Sequence, residues 1–380
     1  MDRRPRGYDG NRDSQVPHSA PVGEVREDGD GVNRRYRAVL CGYYGFGNLG
    51  DELLASALVE AFEKIGVPRD ELAILSASPA DTERSLSLRA VNRWKTTEVF
   101  RLLRESDTLL LGGGGLFQDV TSVRSSAYYW GMIRLASLAG ALPWAVGQSV
   151  GPFRTLSGMF FARNALGKCA LRSVRDERSG ALLNSWGQKS SRSPDPVFLL
   201  GRHSSCRERR DGHFLVNIRP WGGSLPLRTV TKAARLAAEK KLPVIGVGLS
   251  REDVVLMERL AGSRIFRPRR IILLSAANWS TESEQLFCNA AGAVSMRYHF
   301  ALLALLSGVP LTLSAYDPKV EEFAAEWKLP VWKGDGRLPH PALSPEQEKT
   351  VYRADLFLEE FSRMWNEARR LAHRKGTGRS

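Results

Sequence analysis

The sequence predicts an α/β protein made of two doubly wound units that face each other across a cleft. Three observations carry this. From Tyr36 onward, short buried apolar runs alternate with amphipathic helical stretches, the pattern of parallel sheets with helices on both faces. Over residues 201–212 the alternation breaks into a polar, arginine-rich link (Arg202 to Asp211) and then restarts. Several apolar runs end in glycine or in ionisable residues, and in open α/β sheets ligands bind where strands end and helices begin. A chain of 380 residues is long enough for two such domains, each with its own core.

The elements follow in order. Residues 1–35 are rich in Arg, Asp, Gly and Pro, lack apolar periodicity, and are expected to form a disordered extension. The first unit, residues 36–200, opens with a strand over Arg37–Tyr43. A helix over Asp51–Ile65 follows, with Leu54, Leu58, Ala61, Phe62 and Ile65 at helical spacing and Gly66 and Pro68 to stop it. Further strands are expected at Glu71–Ser76, Asp107–Leu111, Pro143–Gln148 and Arg172–Arg175. After the link, the second unit spans residues 213–343. It reads as strand His213–Ile218, helix Thr229–Lys241, strand Pro243–Gly248 and helix Glu252–Leu260. A buried strand then runs up to Met296, a helix from Arg297 to Gly308, and a strand from Val309 to Ala315. A last helix, residues 344–374, carries Val351, Leu358, Phe361, Trp365, Ala368 and Leu371 and is expected to pack across both units, leaving residues 375–380 as a tail.

Composition excludes several classes. Hydrophobic content of 43% and charged content of 25% are ordinary for a soluble globular protein. No apolar run reaches about 18 residues, so a spanning helix is not expected, and the N-terminus lacks an apolar signal core. Cys41, Cys169, Cys206 and Cys288 are scattered without metal spacing and read as buried thiols in a reducing compartment, hence a cytoplasmic protein. The net charge of +14 suits an anionic partner. Two basic clusters stand out: Arg264, Arg267, Arg269 and Arg270, and the C-terminal set from Arg363 to Arg379. They lack interleaved aromatics and no nucleic-acid motif is present, so the expected anion is not a nucleic acid. The clusters could rest on anionic headgroups at the inner face of the membrane, a possible peripheral contact. No metal-binding spacing, Walker loop or Gly-x-Ser-x-Gly elbow occurs, and neither metal nor redox cofactor is implied.

The chemistry concentrates at strand ends. Gly45-Phe46-Gly47-Asn48-Leu49-Gly50 fits the spacing of a dinucleotide fingerprint, but Asp51 and Glu52 follow at once in the first helical turn. They suit the positive end of the helix dipole and would repel a pyrophosphate placed there. A loop that lets backbone approach a ligand, with Asn48 and Asp51 at its rim, fits better. Gly112–Gly115 is a second such end, and Gly113 and Gly114 are expected to expose backbone to ligand, with Asp119 just beyond. Gln148 closes a third strand and Arg175 a fourth. Ser295-Met296-Arg297-Tyr298-His299 and then Tyr316-Asp317-Pro318-Lys319 place Arg297, His299 and Lys319 at adjacent strand ends. Those cations would attract a multiply charged anion, and a histidine among them suits an acid that acts once that anion is bound.

Taken together, these segments resemble the polysaccharide pyruvyltransferase family, in particular its CsaB-type members. The matching stretches are Gly42 to Glu52, Gly112 to Ser122, Gly147 to Pro152, Val174 to Glu177, Asp195 to Phe198, Ser295 to His299 and Tyr316 to Lys319, in the family's order. Tyr298 departs from a frequent leucine, and Ser149-Val150 from a usual Gly-Ile pair. The resemblance implies two Rossmann-like domains in a GT-B-like arrangement, phosphoenolpyruvate as donor, and a lipid-linked saccharide as acceptor. The expected product is a pyruvate ketal on N-acetylmannosamine of a cell-wall polysaccharide precursor. By motif match, Asp51, Arg175, His299 and Lys319 are functional positions. His299 would act as acid and Asp51 as base, with Arg175, Arg297 and Lys319 holding phosphoenolpyruvate. The alternative is a GT-B glycosyltransferase with a nucleotide-sugar donor.

Overall fold

Two parallel sheets organise the chain. The computed structural model describes residues 26–27, 33–120, 122–203, 212–262 and 266–377. The first sheet holds β1 (Tyr36–Cys41), β2 (Leu72–Ser76), β3 (Arg89–Asn92), β4 (Ser106–Leu111), β5 (Gly114–Phe117), β6 (Leu142–Val150), β7 (Arg172–Val174) and β8 (Ser191–Arg192). Its order is β8-β7-β6-β4-β1-β2-β3, with β5 paired to β6. The second sheet holds β9 (His213–Asn217), β10 (Val244–Gly248), β11 (Arg270–Leu273), β12 (Ala290–Ser295), β13 (Leu311–Ser314) and β14 (Val331–Trp332), in the order β11-β10-β9-β12-β13-β14. Strand order reverses beside the first strand of each sheet, and those switch points put both sets of strand ends in one crevice.

The central strands are buried on both faces, which is why they read as continuous Val/Leu/Ile/Ala runs. Helix α1 (Leu49–Lys64) buries Leu54, Leu58, Ala61 and Phe62, as its periodicity required. Its N-terminal end also packs on the second unit: Leu49, Leu53 and Leu54 share one apolar cluster with Leu215, Leu303 and Val320, and the Leu49 amide donates to the Leu249 carbonyl at 2.8 Å. The two units therefore meet through a dry core beneath the crevice. The final helix (Lys349–Thr377) lays Phe357, Phe361, Met364, Trp365 and Ala368 against Phe62 and Trp144 of the first unit. The segment leading into it bonds to the second: Gln347 donates to the Leu305 carbonyl and Ser344 to that of Trp327. Val351, expected on the packed stripe, is exposed.

Other expectations are corrected. β3 and β5 were not anticipated; β5 arises inside the glycine-rich stretch read as a loop, because Leu116 and Phe117 bury their side chains beside β6. β11 begins within the basic cluster, where Ile271 and Ile272 supply an edge strand. Arg267, Arg269 and Arg270 are exposed there, while Arg264 and Arg379 lie outside the described residues. Cys41 and Cys169 are buried thiols, but Cys288 is disulfide-bonded, and Cys206 lies outside the described residues. Of the expected N-terminal extension, Arg26–Glu27 and Asn33–Arg34 form a short antiparallel pair; residues 1–25 and 28–32 lie outside the described residues, as do residues 204–211 of the link. No described helix is long and apolar enough to cross a membrane.

Candidate active site

A cavity of about 410 Å³ opens between the sheets at their strand ends. From the first unit it is lined by Tyr43, Asn48, Asp51, Gly114 and Arg175, and from the second by Arg219, Arg297, His299, Tyr316 and Lys319. Each polar group is placed by a short stretch of backbone. Asn48 caps α1 in extended conformation, and its side-chain amide donates to Asp51, one turn on. Burial pushes the Asp51 carboxyl above its ordinary value, against the pull of His299, Asn48, Arg297 and Arg175. Glu52 turns the other way and accepts the Gly45 amide at 2.8 Å, with burial pushing its carboxyl up to about 7. The Gly45 amide thus already has an acceptor within the protein, and the acidic first turn lies against the glycine loop, where it would repel a pyrophosphate.

His299 lies in the first turn of the helix Tyr298–Leu306, with Arg297 as its extended N-cap. Its imidazole rests directly on α1: a Cβ added to Gly50 would come 2.2 Å from Nδ1. On the other side, Nε2 stands 3.7 Å from Oδ2 of Asp195, close enough for its charge to be felt but too far for a hydrogen bond, and has no hydrogen-bond partner. Gly50→Ala is therefore expected to displace the ring by an ångström or more and to lower turnover about 10²-fold. Helix propensity alone would favour the alanine, so unfolding should shift little while kcat collapses; turnover and thermal unfolding measured side by side check this.

Arg175 and Arg297 are not loose cations. Arg175 donates to Asp195 through Nη1 and to Ser149 through Nε at 2.7 Å, and its guanidinium sits 4.4 Å over the Tyr298 ring. Burial would lower its pKa, but the Asp195 charge outweighs this and holds it raised. Arg297 forms a bidentate pair with buried Asp253 at 2.5 and 2.6 Å and reaches Ser250 at 2.9 Å. Asn217 anchors this corner, accepting from the Arg297 amide at 3.1 Å and donating to the Val247 carbonyl at 2.8 Å. Lys319, in the first turn of the helix Pro318–Glu326, lies 3.5 Å from the carboxylate of its helix cap Asp317. Arg219 donates to the Tyr316 hydroxyl at 2.8 Å, and among the described residues no carboxylate pairs with it.

The crevice thus gathers Asn48, Asp51, Gly114, Arg175, Arg297, His299 and Lys319, but three expected residues sit behind its wall. Gln148 is fully buried in β6 and donates to the Leu111, Gly112 and Val146 carbonyls, bracing the glycine-rich strand end from within. Asp119 accepts from the Arg154 and Thr155 amides and the Thr155 hydroxyl, tying down the loop before the helix Leu156–Lys168. Gly113 faces α1, where a Cβ would meet Leu54 at 3.2 Å and the Gly147 carbonyl at 3.1 Å. Gly114 alone of the pair faces the cavity, at φ +101°. Missing from the expectations were Arg219, Asp195 and Asp253. Arg219 had a usable signal, since it stands two residues past the end of β9.

A family model for polysaccharide pyruvyl transferases matches residues 48–318. No curated protein matches the chain. Among solved structures, the UDP-N-acetylglucosamine 2-epimerase of Rickettsia bellii superposes with a TM-score of 0.52 at 11% identity, covering 89% of this chain and 98% of its own. The UDP-N-acetylglucosamine 2-epimerase of Methanocaldococcus jannaschii gives 0.51 at 10% identity, over 85% of this chain and 92% of its own. At such identities the likeness is one of fold: two α/β domains with parallel sheets, as the alternation of elements predicted, in the GT-B-like arrangement that the resemblance implied. With seven tenths of the chain inside the matched span, this protein belongs to the polysaccharide pyruvyl transferase family and is a transferase.

Proposed function

We propose that the protein transfers pyruvate from phosphoenolpyruvate to a saccharide precursor of a cell-wall polysaccharide, N-acetylmannosamine being the acceptor sugar, and that the 410 Å³ crevice is where this happens. The carrying observation is the pairing of a partnerless buried imidazole nitrogen with cations that line the same space. Phosphoenolpyruvate brings a phosphate and a carboxylate. Arg219, which pairs with no carboxylate among the described residues, and Lys319, whose contact to Asp317 at 3.5 Å is looser than the pairs that hold Arg175 and Arg297, are the natural grips for them. Arg175 and Arg297, tied to Asp195 and Asp253, stiffen the wall and supply field rather than a free hand. This shifts the donor grip partly away from the set expected from sequence.

The chemistry then balances as follows. An acceptor hydroxyl oxygen adds to C2 of the enol ester while its proton passes to Asp51, and His299 delivers a proton to C3. The C2–O bond to phosphate breaks with its electron pair, releasing phosphate. A second hydroxyl of the same sugar closes on C2 and passes its proton to the His299 imidazole, while the proton held by Asp51 leaves with the phosphate, giving the ketal and restoring both side chains.

The test is to incubate the protein with phosphoenolpyruvate and a soluble N-acetylmannosamine glycoside, and to follow phosphate release and product mass. Arg219→Ala is expected to raise the KM for phosphoenolpyruvate about 10–100-fold, as loss of a charge-assisted bond should, with the acceptor KM little changed. The nucleotide-sugar alternative predicts something else: thermal stabilisation by a uridine diphosphate and none by phosphoenolpyruvate.

A further inference from the structure

At the mouth of the crevice lies a group of aromatic side chains that the donor chemistry does not use. Tyr43 and Phe46 stack with ring centroids 4.0 Å apart and an interplanar angle of 10°. They are 41% and 39% exposed, and Trp94 beside them is 61% exposed. Exposed aromatics of this size in one patch call for a partner. The patch is rigidly supported. Arg93, only 4% exposed, donates to the Gly42 carbonyl at 2.7 Å and lies under Phe46 at 5.0 Å, Trp94 at 5.2 Å and Tyr128 at 4.1 Å. Trp94 in turn meets Tyr128 edge-on at 5.3 Å. A buried arginine beneath three rings fixes their planes before any ligand arrives.

The patch is continuous with the reaction space. Tyr43 lines the same cavity as Asp51 and His299, and burial together with the nearby Asp51 charge pushes the Tyr43 phenol up. A ligand resting on the Tyr43 edge would therefore present its polar rim to Asp51 and Asn48. Flat aromatic faces beside hydrogen-bonding carboxylate and amide groups match a pyranose, which has an apolar C–H face and a rim of hydroxyls. The arginine beneath the rings, Arg93, is buried, so the exposed faces of the rings themselves suit an uncharged ligand better than the anionic donor.

We propose that Tyr43, Phe46 and Trp94 form the acceptor subsite, a preformed platform on which a pyranose stacks with its hydroxyls turned toward Asp51. This rests on the reading of the protein as a saccharide-modifying transferase, and the experiment separates the two. Phe46→Leu and Trp94→Ala remove rings from exposed positions that the core does not need, while Phe46→Tyr keeps the ring. With the full chain, the KM for a soluble N-acetylmannosamine glycoside should rise about tenfold in the first two variants and stay near wild type in the third, with the KM for phosphoenolpyruvate unchanged. In parallel, saturation-transfer NMR of the same glycoside, with no donor present, should show contact to its ring C–H protons that weakens in Phe46→Leu and Trp94→Ala. If wild type binds the glycoside but releases no phosphate, the donor reading fails while the platform stands or falls by the NMR arm. Acceptor KM and saturation transfer indifferent to both ring deletions, or no transfer to wild type at all, would overturn the platform.

Discussion

Replacing Asp195 with alanine is expected to lower stability by about 3–5 kcal/mol and to end activity, because it strips a buried arginine of its counter-charge. Asp195 is buried, accepts from Arg175 Nη1 and from the Val197 amide at 2.9 Å, and stands 3.7 Å from Nε2 of His299. Arg175 is itself 4% exposed, and the Tyr298 ring 4.4 Å away softens but cannot replace a carboxylate. Asp195→Asn, which retains polar contacts without the charge, should fall between. Chemical denaturation of the three proteins measures the order.

The acid limb of stability carries a second signature of the same residue. Burial would raise the Asp195 carboxyl, but the Arg175 charge and the contacts to His299 outweigh it and hold it well below the usual carboxylate range. A folded pKa below the unfolded one means the stabilisation is complete above the unfolded value of about 3.9 and is lost as pH falls beneath it. Asp195→Ala should therefore flatten the loss of stability between about pH 4 and pH 2, where wild type keeps losing ground. An unchanged slope in that window would show the pair to be uncoupled from folding.

Asp195 also shows where the sequence stops being readable. Its stretch, Asp195 to Phe198, resembled the family, yet nothing in spacing told that it would reach across to Arg175, 20 residues earlier, and approach His299, more than 100 residues later. Strand ends were legible because a fully buried strand must be continuously apolar and must stop at glycine or a polar residue. Which way a side chain turns there was not. Gln148 and Arg175 were both read as strand ends, but Gln148 lies inside β6, which runs on to Val150, and braces carbonyls within the sheet, while Arg175 reaches the crevice wall. The same ambiguity hid the neutralisation of Arg297 by Asp253, which lies on a helix expected only to cover the sheet. Tyr43 was read as the end of a strand and Phe46 as part of a glycine-rich loop, and the seating of Phe46 over buried Arg93 depends on a partner 47 residues further along the chain.

His299→Ala is expected to lower turnover about 10²–10⁴-fold, the range a positioned proton donor supplies, while leaving stability near wild type. The second expectation follows from the same geometry as the first. Nε2 makes no hydrogen bond in the folded protein and Asp195 keeps Arg175 and the Val197 amide when the ring is deleted, so the loss is milder than that caused by deleting Asp195 itself. The ring also rests on Gly50, where an alanine could not fit beneath it, so the site is shaped around the imidazole rather than the reverse. His299→Gln tests the role more sharply: it fills the space and can hydrogen-bond, but it cannot hand a proton to C3. Equal losses in kcat for the alanine and glutamine variants, with donor and acceptor KM near wild type, are what an acid requires; recovery of turnover in His299→Gln would make the ring a positioning residue. Asp51→Asn should fail in a different way, since its carboxyl must be ionised to take the hydroxyl proton. Burial raises the Asp51 pKa, so in wild type the acid limb of kcat should lie above the ordinary carboxylate range, and Asp51→Asn should erase that limb along with most of the rate.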